Sequence, residues 1–443
     1  MVPASEGGGM RATMQEGMLA ILSGFMDPQV HCVVSLDGHV DEERLARAVR
    51  LSLDALPVLG SRLAGGRGQP RWLRRADLDR LELVTVETAS DTPSAVERAL
   101  LRTMDPSADP LVRATVIRGR ADTLVVSVCH VAADGRGVQE YAYLLADLYT
   151  GLGEGRETPS VAVERCTMRG ALGALPPARS MAAILRAVEG FVGFPMRSWK
   201  VPAVTSCGLE RGYIVRRVGR DRVAAARALA SRHGATLNDA LLTAFYRALF
   251  EALSPPPKEP MPVLLPADLR RHMPSRAARG VCPLVSVLVA ELDRRPGEAF
   301  EGTLLRVRDE MRALRDGDLA VGNALLLGLV TGAGQAATRS MLEWPLRGAS
   351  REGSGPPLFS NAGPMDGAML GFGGVRARDA YTASPVFYPP FFMLGLSGFA
   401  GDVVLTAGFC GDPKERARVE GILDRMLAEL PAPTGWPPRI TGT

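Results

Sequence analysis

Several patterns that would point to a particular chemistry are missing from this chain of 443 residues. Its six cysteines lie far apart and form no Cys-x-x-Cys pair, which argues against a metal or redox motif and fits a reducing compartment. Gly-x-Ser-x-Gly, a Walker loop and Gly-x-Gly-x-x-Gly are also absent. The sequence therefore gives no sign of a serine nucleophile elbow, a nucleotide-phosphate loop or a dinucleotide-binding turn.

Positive and negative charges are also nearly balanced. The chain has 52 basic and 48 acidic residues, a net charge of +4, which is too even to indicate a nucleic-acid partner. Lysine occurs only at 200, 258 and 414, so nearly all basic residues are arginine. An apolar fraction of 46% and an aromatic fraction of 5% are typical of a globular enzyme with a sizeable core.

Membrane and export signals are weak. The N-terminus lacks a basic region followed by an apolar core, so we predict no secretory signal and a cytoplasmic protein. Residues 380–401 are almost free of charge, but Pro385, Pro389 and Pro390 exclude a regular membrane helix there. Residues 319–338 are long enough to cross a bilayer but poor in leucine, so we predict a buried helix.

The most informative stretch is an apolar run that ends on a histidine. Residues 124–128 are Leu and β-branched Val apart from Ser127, which predicts a buried strand. After a short glycine-containing loop, residues 138–149 predict a helix with one apolar face, formed by Val138, Tyr141, Leu145 and Leu148. His130 is thus predicted to stand between a strand end and a helix start, a position that directs side chains into clefts.

The residues His130-x-x-x-Asp134-Gly135 resemble the signature of the acyltransferase superfamily related to chloramphenicol acetyltransferase. That superfamily includes condensation domains of non-ribosomal peptide synthetases, plant alcohol acyltransferases, wax ester synthases and polyketide-associated acyltransferases. Several branches carry two adjacent histidines, and here Cys129 occupies the first of these positions. The resemblance implies that the second, His130, carries the chemistry.

Further similarities follow in the family's order between roughly residues 30 and 430. They are a strand, a glycine turn and a helix capped by Asp41; Pro-Leu-x-Arg-Ala at 110–114; Thr-Leu-Asn-Asp at 236–239; a strand ending at Arg270; and Ser-Asn-x-Gly-Pro at 360–364. Periodicity alone predicts only an α/β protein. The resemblance implies two chloramphenicol acetyltransferase-like lobes, each a mixed β-sheet with flanking helices, with an active-site tunnel between them. We place the lobes at 1–175, which carries the motif, and 176–443, with a crossover at 151–180, where periodicity fades.

The implied function is transfer of an acyl group from a thioester to a hydroxyl or amine of a small-molecule acceptor. The donor would be acyl-coenzyme A or an acyl carrier protein, so that coenzyme A or a phosphopantetheine thioester is a co-substrate and no cofactor is tightly bound. His130 would be the general base, since an imidazole with a pKa near 6.5 can accept a proton at neutral pH. Direct attack by the acceptor requires no covalent acyl-enzyme.

Other residues are assigned supporting roles. The resemblance implies that Asp134 holds the motif loop through an arginine, and we predict Arg270 as that partner. Gly135 is expected to adopt a backbone geometry closed to other residues, with its N–H and those of the following helix start facing an oxyanion, or simply to make the turn. Ser360 and Asn361 are candidates for the oxyanion site or the tunnel wall, or form a turn that caps a strand. Cys129 is expected to be a packed thiol, Asn238 a helix-start residue, and the remaining histidines show no metal spacing.

Two other functions stay open at this point. One is a stand-alone, carrier-protein-dependent condensation enzyme that forms an amide. The other is a catalytically silent relative that serves as a docking module, which the presence of Cys129 keeps in consideration.

Overall fold

The structure is a computed structural model that describes residues 9–65, 70–160, 163–164, 167, 170, 172, 176–192, 201–202, 210–272, 279–316, 318–332 and 334–432. Part of the predicted crossover (151–180) lies outside the described residues. The helices are α1 (Met14–Leu22), α2 (Glu42–Ala55), α3 (Thr92–Leu101), α4 (Gly135–Gly153), α5 (Pro177–Val192), α6 (Arg220–Arg232), α7 (Leu237–Leu253), α8 (Phe300–Asp316), α9 (Leu319–Gly332), α10 (Gln335–Glu352) and α11 (Pro413–Glu429).

The strands are β1 (Met10–Arg11), β2 (Gln29–Leu36), β3 (Ser61–Ala64), β4 (Arg71–Arg74), β5 (Val84–Thr88), β6 (Val112–Arg118), β7 (Asp122–Cys129), β8 (Val163–Glu164), β9 (Val201–Pro202), β10 (Glu210–Val218), β11 (Pro260–Asp268), β12 (Arg279–Gly280), β13 (Val285–Asp293), β14 (Ser354–Gly355), β15 (Leu358–Pro364), β16 (Ala377–Ala383), β17 (Met393–Phe399) and β18 (Asp402–Gly411). Two large mixed sheets dominate, with strand orders β16-β2-β7-β6-β5 and β10-β18-β17-β15-β11-β13.

The first sheet is antiparallel except for the parallel pair β5–β6. Because side chains alternate along a strand, β2 and β7 present one set of apolar residues to the same face. Val30, Cys32 and Val34 pair with Val128, Val126 and Leu124, and all six are buried in one core with residues of α2 and α4. The two helices therefore cover this face and hold β7 in a dry environment.

The second sheet combines parallel pairs at β11–β15 and β15–β17 with antiparallel pairs elsewhere. Leu394 and Leu396 of β17 pair with Ala407 and Leu405 of β18, and all four lie in a second core together with Phe245 of α7. Helix α7 also packs against α6, α8 and α11. The second lobe is thus a sheet with its own helical layer.

Strand β16 connects the two lobes. It follows β15 in the chain, yet it pairs antiparallel with β2, with Ala383 opposite His31, and so completes the edge of the first sheet. A segment from the predicted second lobe therefore contributes a strand to the first. The predicted boundary between residues 175 and 176 stays a prediction.

The predicted cap of the second helix is confirmed. Helix α2 has Asp41 as its N-cap, whose side chain accepts a hydrogen bond from the Arg44 N–H. Strands β6 and β7 form a hairpin, and so do β17 and β18.

The prediction of one buried helix over residues 319–338 is wrong. The segment is divided between α9 and α10, and Gly334 lies between them with φ of 109°, a conformation that suits glycine and interrupts a helix. Leu329 in α9 is 62% exposed. Among the described residues, no helix has both the length and the apolar character that crossing a bilayer requires.

Candidate active site

The motif loop forms a tight connection between β7 and α4. Strand β7 ends at Cys129, and α4 begins at Gly135 with Asp134 as its N-cap. The Asp134 Oδ1 accepts a hydrogen bond of 2.7 Å from the Gly137 N–H, which satisfies one of the free donors of the first helical turn. The predicted strand–turn–helix is therefore present, and its helix starts three residues earlier than the apolar pattern indicated.

His130 is held in one ring orientation. Its Nδ1 lies 2.9 Å from the carbonyl oxygen of Ala133, and its backbone N–H donates to the carbonyl of Pro28 at 2.8 Å. Because a carbonyl oxygen can only accept, Nδ1 carries the proton and the neutral ring keeps its lone pair on Nε2. The residue is half-buried, whereas the three residues that follow it are buried.

The surroundings favour the neutral ring. Burial lowers the pKa of His130 below its usual value of 6.5, and this outweighs the hydrogen bond to the Ala133 carbonyl and the charge of Asp134, which both favour protonation. At neutral pH the ring is therefore uncharged, with Nε2 able to accept a proton.

Asp134 is directed away from His130 and towards the second lobe. Its two carboxylate oxygens accept from both terminal nitrogens of Arg270, at 2.9 and 3.0 Å, and Oδ2 also accepts from the Leu284 N–H at 2.8 Å. Burial opposes ionisation of this carboxyl, but the Arg270 charge and the hydrogen bonds outweigh it and lower its pKa. Sequence reasoning named Arg270 as the partner, and the structure places the two groups in bidentate contact.

Arg270 is itself anchored within the second lobe. It lies two residues after the end of β11, and its guanidinium donates to the carbonyls of Gly280 and Cys282 and to the Asp268 carboxylate. The arginine is therefore fixed on several sides before it meets Asp134, which makes the ion pair a rigid connection between the lobes rather than a surface contact.

One expectation for Gly135 is wrong. Its backbone begins α4 and lies outside the left-handed region, so no geometry closed to other residues is required there. A Cβ at this position would meet only the Ala362 Cβ, at an ordinary 3.5 Å. The crowded glycine is Gly137, where a Cβ would come within 3.0 Å of the Cys282 carbonyl oxygen and 3.1 Å of the Ala133 Cβ. Sequence reasoning missed this residue because the crowding comes partly from the second lobe.

Strand β15, which carries the predicted residues Ser360 and Asn361, lies close to the start of α4, because Ala362 faces Gly135. Asn361 is exposed, its Nδ2 donates to the Asn238 Oδ1 at 2.9 Å, and its Oδ1 accepts from the Gly363 N–H at 2.9 Å. Ser360 is half-buried, and its hydroxyl makes no hydrogen bond within the described part of the chain. Asn238 lies in the first turn of α7, as expected, but the sequence carried no signal for its contact with Asn361.

Two other groups are excluded from the chemistry by burial. Cys129 is fully buried in the first core, and burial raises the pKa of its thiol to about 12, so it is a packed thiol as expected. His31 lies 2.8 Å from the Ser127 hydroxyl, but both side chains are sealed and burial lowers the pKa of His31 to about 3. Neither forms a nucleophile–base pair that a substrate could reach. Within the described ranges, no group of three side chains could hold a metal ion.

Two packed mixed sheets, with a histidine turn facing the second lobe, define a two-lobed α/β protein. The comparison with solved structures finds the same two-lobed fold in condensation domains and in an O-acetyltransferase. No family model and no curated protein sequence matches the chain. At the sequence identities found, the likeness concerns the fold.

Three solved structures illustrate the match, and each covers nearly all of both chains. The first condensation domain of the CDA synthetase is 17% identical, with a TM-score of 0.71 over 97% of this chain and 98% of that one. Trichothecene 15-O-acetyltransferase from Fusarium sporotrichioides is 12% identical, with a TM-score of 0.66 over 95% and 94%. A variant of the starter condensation domain of rhizomide synthetase, in complex with C8-CoA, is 15% identical, with a TM-score of 0.63 over 96% and 95%.

Proposed function

We propose that this chain transfers an acyl group from a thioester of coenzyme A or a carrier protein to a hydroxyl or amine of a small-molecule acceptor. The observation that carries the proposal is the free Nε2 of a neutral His130, whose Nδ1–H is held by the Ala133 carbonyl. The loop that carries this ring is fixed from the second lobe through Asp134 and Arg270. A base held in this way, between two lobes of an acyltransferase fold, supports proton abstraction from an acceptor.

The proposed reaction needs no covalent enzyme intermediate. Nε2 removes the proton as the acceptor oxygen or nitrogen attacks the thioester carbonyl, and the carbonyl electron pair forms an oxyanion. When the tetrahedral intermediate collapses, the carbon–sulfur bond breaks, and the leaving thiolate takes the proton from His130. Ser360 is our candidate donor to the oxyanion, because its hydroxyl is half-buried and uses no other described partner. Asn361 would support the same strand end through Asn238.

Amide formation with a carrier-protein donor is the second candidate. The fold is shared both with a condensation domain and with an O-acetyltransferase, so both bond types are compatible with it. The docking module has less support, because the orientation of His130 depends on Ala133 and Pro28 and not on the side chain at position 129.

The decisive experiment measures thiol release from a panel of acyl-CoAs and acyl carrier proteins, mixed with candidate alcohols and amines. We expect turnover with the full chain and loss of at least about a thousandfold in His130→Ala, since the base is removed. His233→Ala is the matched control, because His233 is a half-exposed residue at the end of α6.

Full activity in His130→Ala would refute the proposed mechanism. A strict need for a carrier protein together with an amine acceptor would favour the condensation enzyme. No release from any donor would favour docking.

A further inference from the structure

A concave site lies where α1 of the first lobe meets α9 and α10 of the second. It is a cavity of about 200 Å³, which we call the α1–α9 pocket. Ile21, Pro70 and Thr338 are buried in its wall, while Met14 and Gly328 are half-exposed. The pocket is therefore closed on one side by core residues and open to solvent on the other.

Apolar surface predominates in the wall of the pocket. None of its lining residues is charged. The Thr331 and Thr338 hydroxyls donate to the carbonyls of Gly328 and Gly334 in their own helical segments, and the Thr13 hydroxyl accepts from the Glu16 N–H. The Thr13 O–H can still donate to a ligand, but most of the surface that lines the pocket consists of methyl, methylene and thioether groups. Such a surface selects an apolar, uncharged ligand.

The size of the pocket limits the length of that ligand. Apolar cavities of roughly 150 Å³ hold one benzene molecule, so 200 Å³ corresponds to a chain of about six to eight carbons. Met14 and Met18 contribute flexible thioether side chains, which adapt to a chain with many conformers. Gly17 and Gly328 lie on opposite walls and, having no side chain, leave the space between them open. A Cβ added to either would meet nothing closer than 3.7 Å.

The pocket is connected to the motif loop through α1. The chain leaves α1 after Leu22 and reaches Pro28, whose carbonyl accepts the His130 backbone N–H. We propose that the α1–α9 pocket binds the unbranched aliphatic portion of a substrate, with a length of about six to eight carbons. That the aliphatic group belongs to a substrate of His130 rests on the proposed function. That the pocket binds an aliphatic group does not depend on it.

The test measures equilibrium binding of 1-alkanols, from 1-butanol to 1-decanol, to the full chain by calorimetry. Each added methylene should lower Kd by about two- to fourfold until about eight carbons, after which the gain should stop because the pocket is full. Gly328→Leu fills the pocket, so its Kd for 1-octanol should rise by at least about tenfold, while 1-butanol binding changes by less than about twofold.

Gly421→Leu is the matched control, since Gly421 is a helical glycine of α11 with open space around its added Cβ and does not line the pocket. Should Gly328→Leu fail to fold, Gly17→Leu fills the pocket from the opposite wall and should show the same loss. Binding that does not depend on chain length, or a folded Gly328→Leu with unchanged octanol affinity, would overturn the proposal.

The outcomes also separate this proposal from the proposed function. A chain that binds 1-octanol selectively but releases thiol from no donor retains the pocket and loses the acyltransferase assignment. A chain that turns over short and medium donors equally well and binds alkanols without length preference retains the assignment and loses the pocket.

Discussion

Arg270 donates from both terminal nitrogens to the carboxylate of Asp134, and this pair joins the motif loop of the first lobe to the end of a strand in the second. Asp134 is 2% exposed, and among the described residues Arg270 is the cation that pairs with its carboxylate. The pair does not extend to His130, whose Nδ1 is occupied by a backbone carbonyl. The motif aspartate therefore positions the loop and takes no part in a His–Asp relay.

Removing the arginine should destabilise the fold. Arg270→Ala leaves a buried carboxylate with backbone donors alone, and we expect the free energy of unfolding to fall by about 3–5 kcal/mol in urea titrations. The control is Arg217→Ala, which breaks exposed ion pairs with Asp379 and Asp402 and should cost about 1 kcal/mol or less. If the two variants lose equal stability, the Asp134–Arg270 pair is not the interlobe connection described here.

The reaction rate should fall only when the pH drops below the usual pKa of histidine. Burial lowers the pKa of His130, so the base stays neutral until the pH falls below that depressed value. Protonation then removes the Nε2 lone pair, and kcat/KM should decline on an acid limb with its midpoint under 6.5. A pH–rate profile checks this, with His233→Ala expected to give the same curve. A midpoint above 7 would show that another group controls the rate.

Cys129 should be dispensable for chemistry. It is buried, and burial raises its thiol pKa to about 12, so it is protonated and out of reach of substrate. Cys129→Ala should keep kcat/KM within about twofold while lowering the free energy of unfolding by about 1 kcal/mol, because only a small cavity is created. Alkylating reagents at pH 8 should leave this residue unmodified in the folded chain. A loss of activity comparable to that of His130→Ala would contradict the packed-thiol interpretation.

Ser360 should affect the chemical step and not substrate affinity. If its hydroxyl donates to the oxyanion, Ser360→Ala should lower kcat by about a hundredfold with little change in KM, as expected for a group that binds only the transition state. Ser350→Ala on α10 is the control, since that exposed hydroxyl donates to the Leu346 carbonyl of its own helix. A rise in KM with unchanged kcat would instead make Ser360 part of a substrate-binding wall.

The local part of the site could be predicted because its signals lie within a few residues of each other. The apolar run to Cys129 and the N-cap Asp134 determine a strand, a turn and a helix, and they place His130 between them. The same reasoning found α2 with its cap Asp41. In each case a side-chain period or a single capping group acts through neighbouring backbone atoms.

What the sequence by itself determined is therefore the set of elements and the identity of the histidine that stands at a strand end. Only the tertiary structure decided which distant groups meet there: β16 beside β2, Asn361 beside Asn238, and the Cys282 carbonyl against Gly137. Arg270 was named in advance through resemblance, yet its bidentate geometry also arises from packing. The physical reason is that such contacts join segments far apart in the chain, and no local period or cap encodes a partner that arrives only when two lobes close on each other.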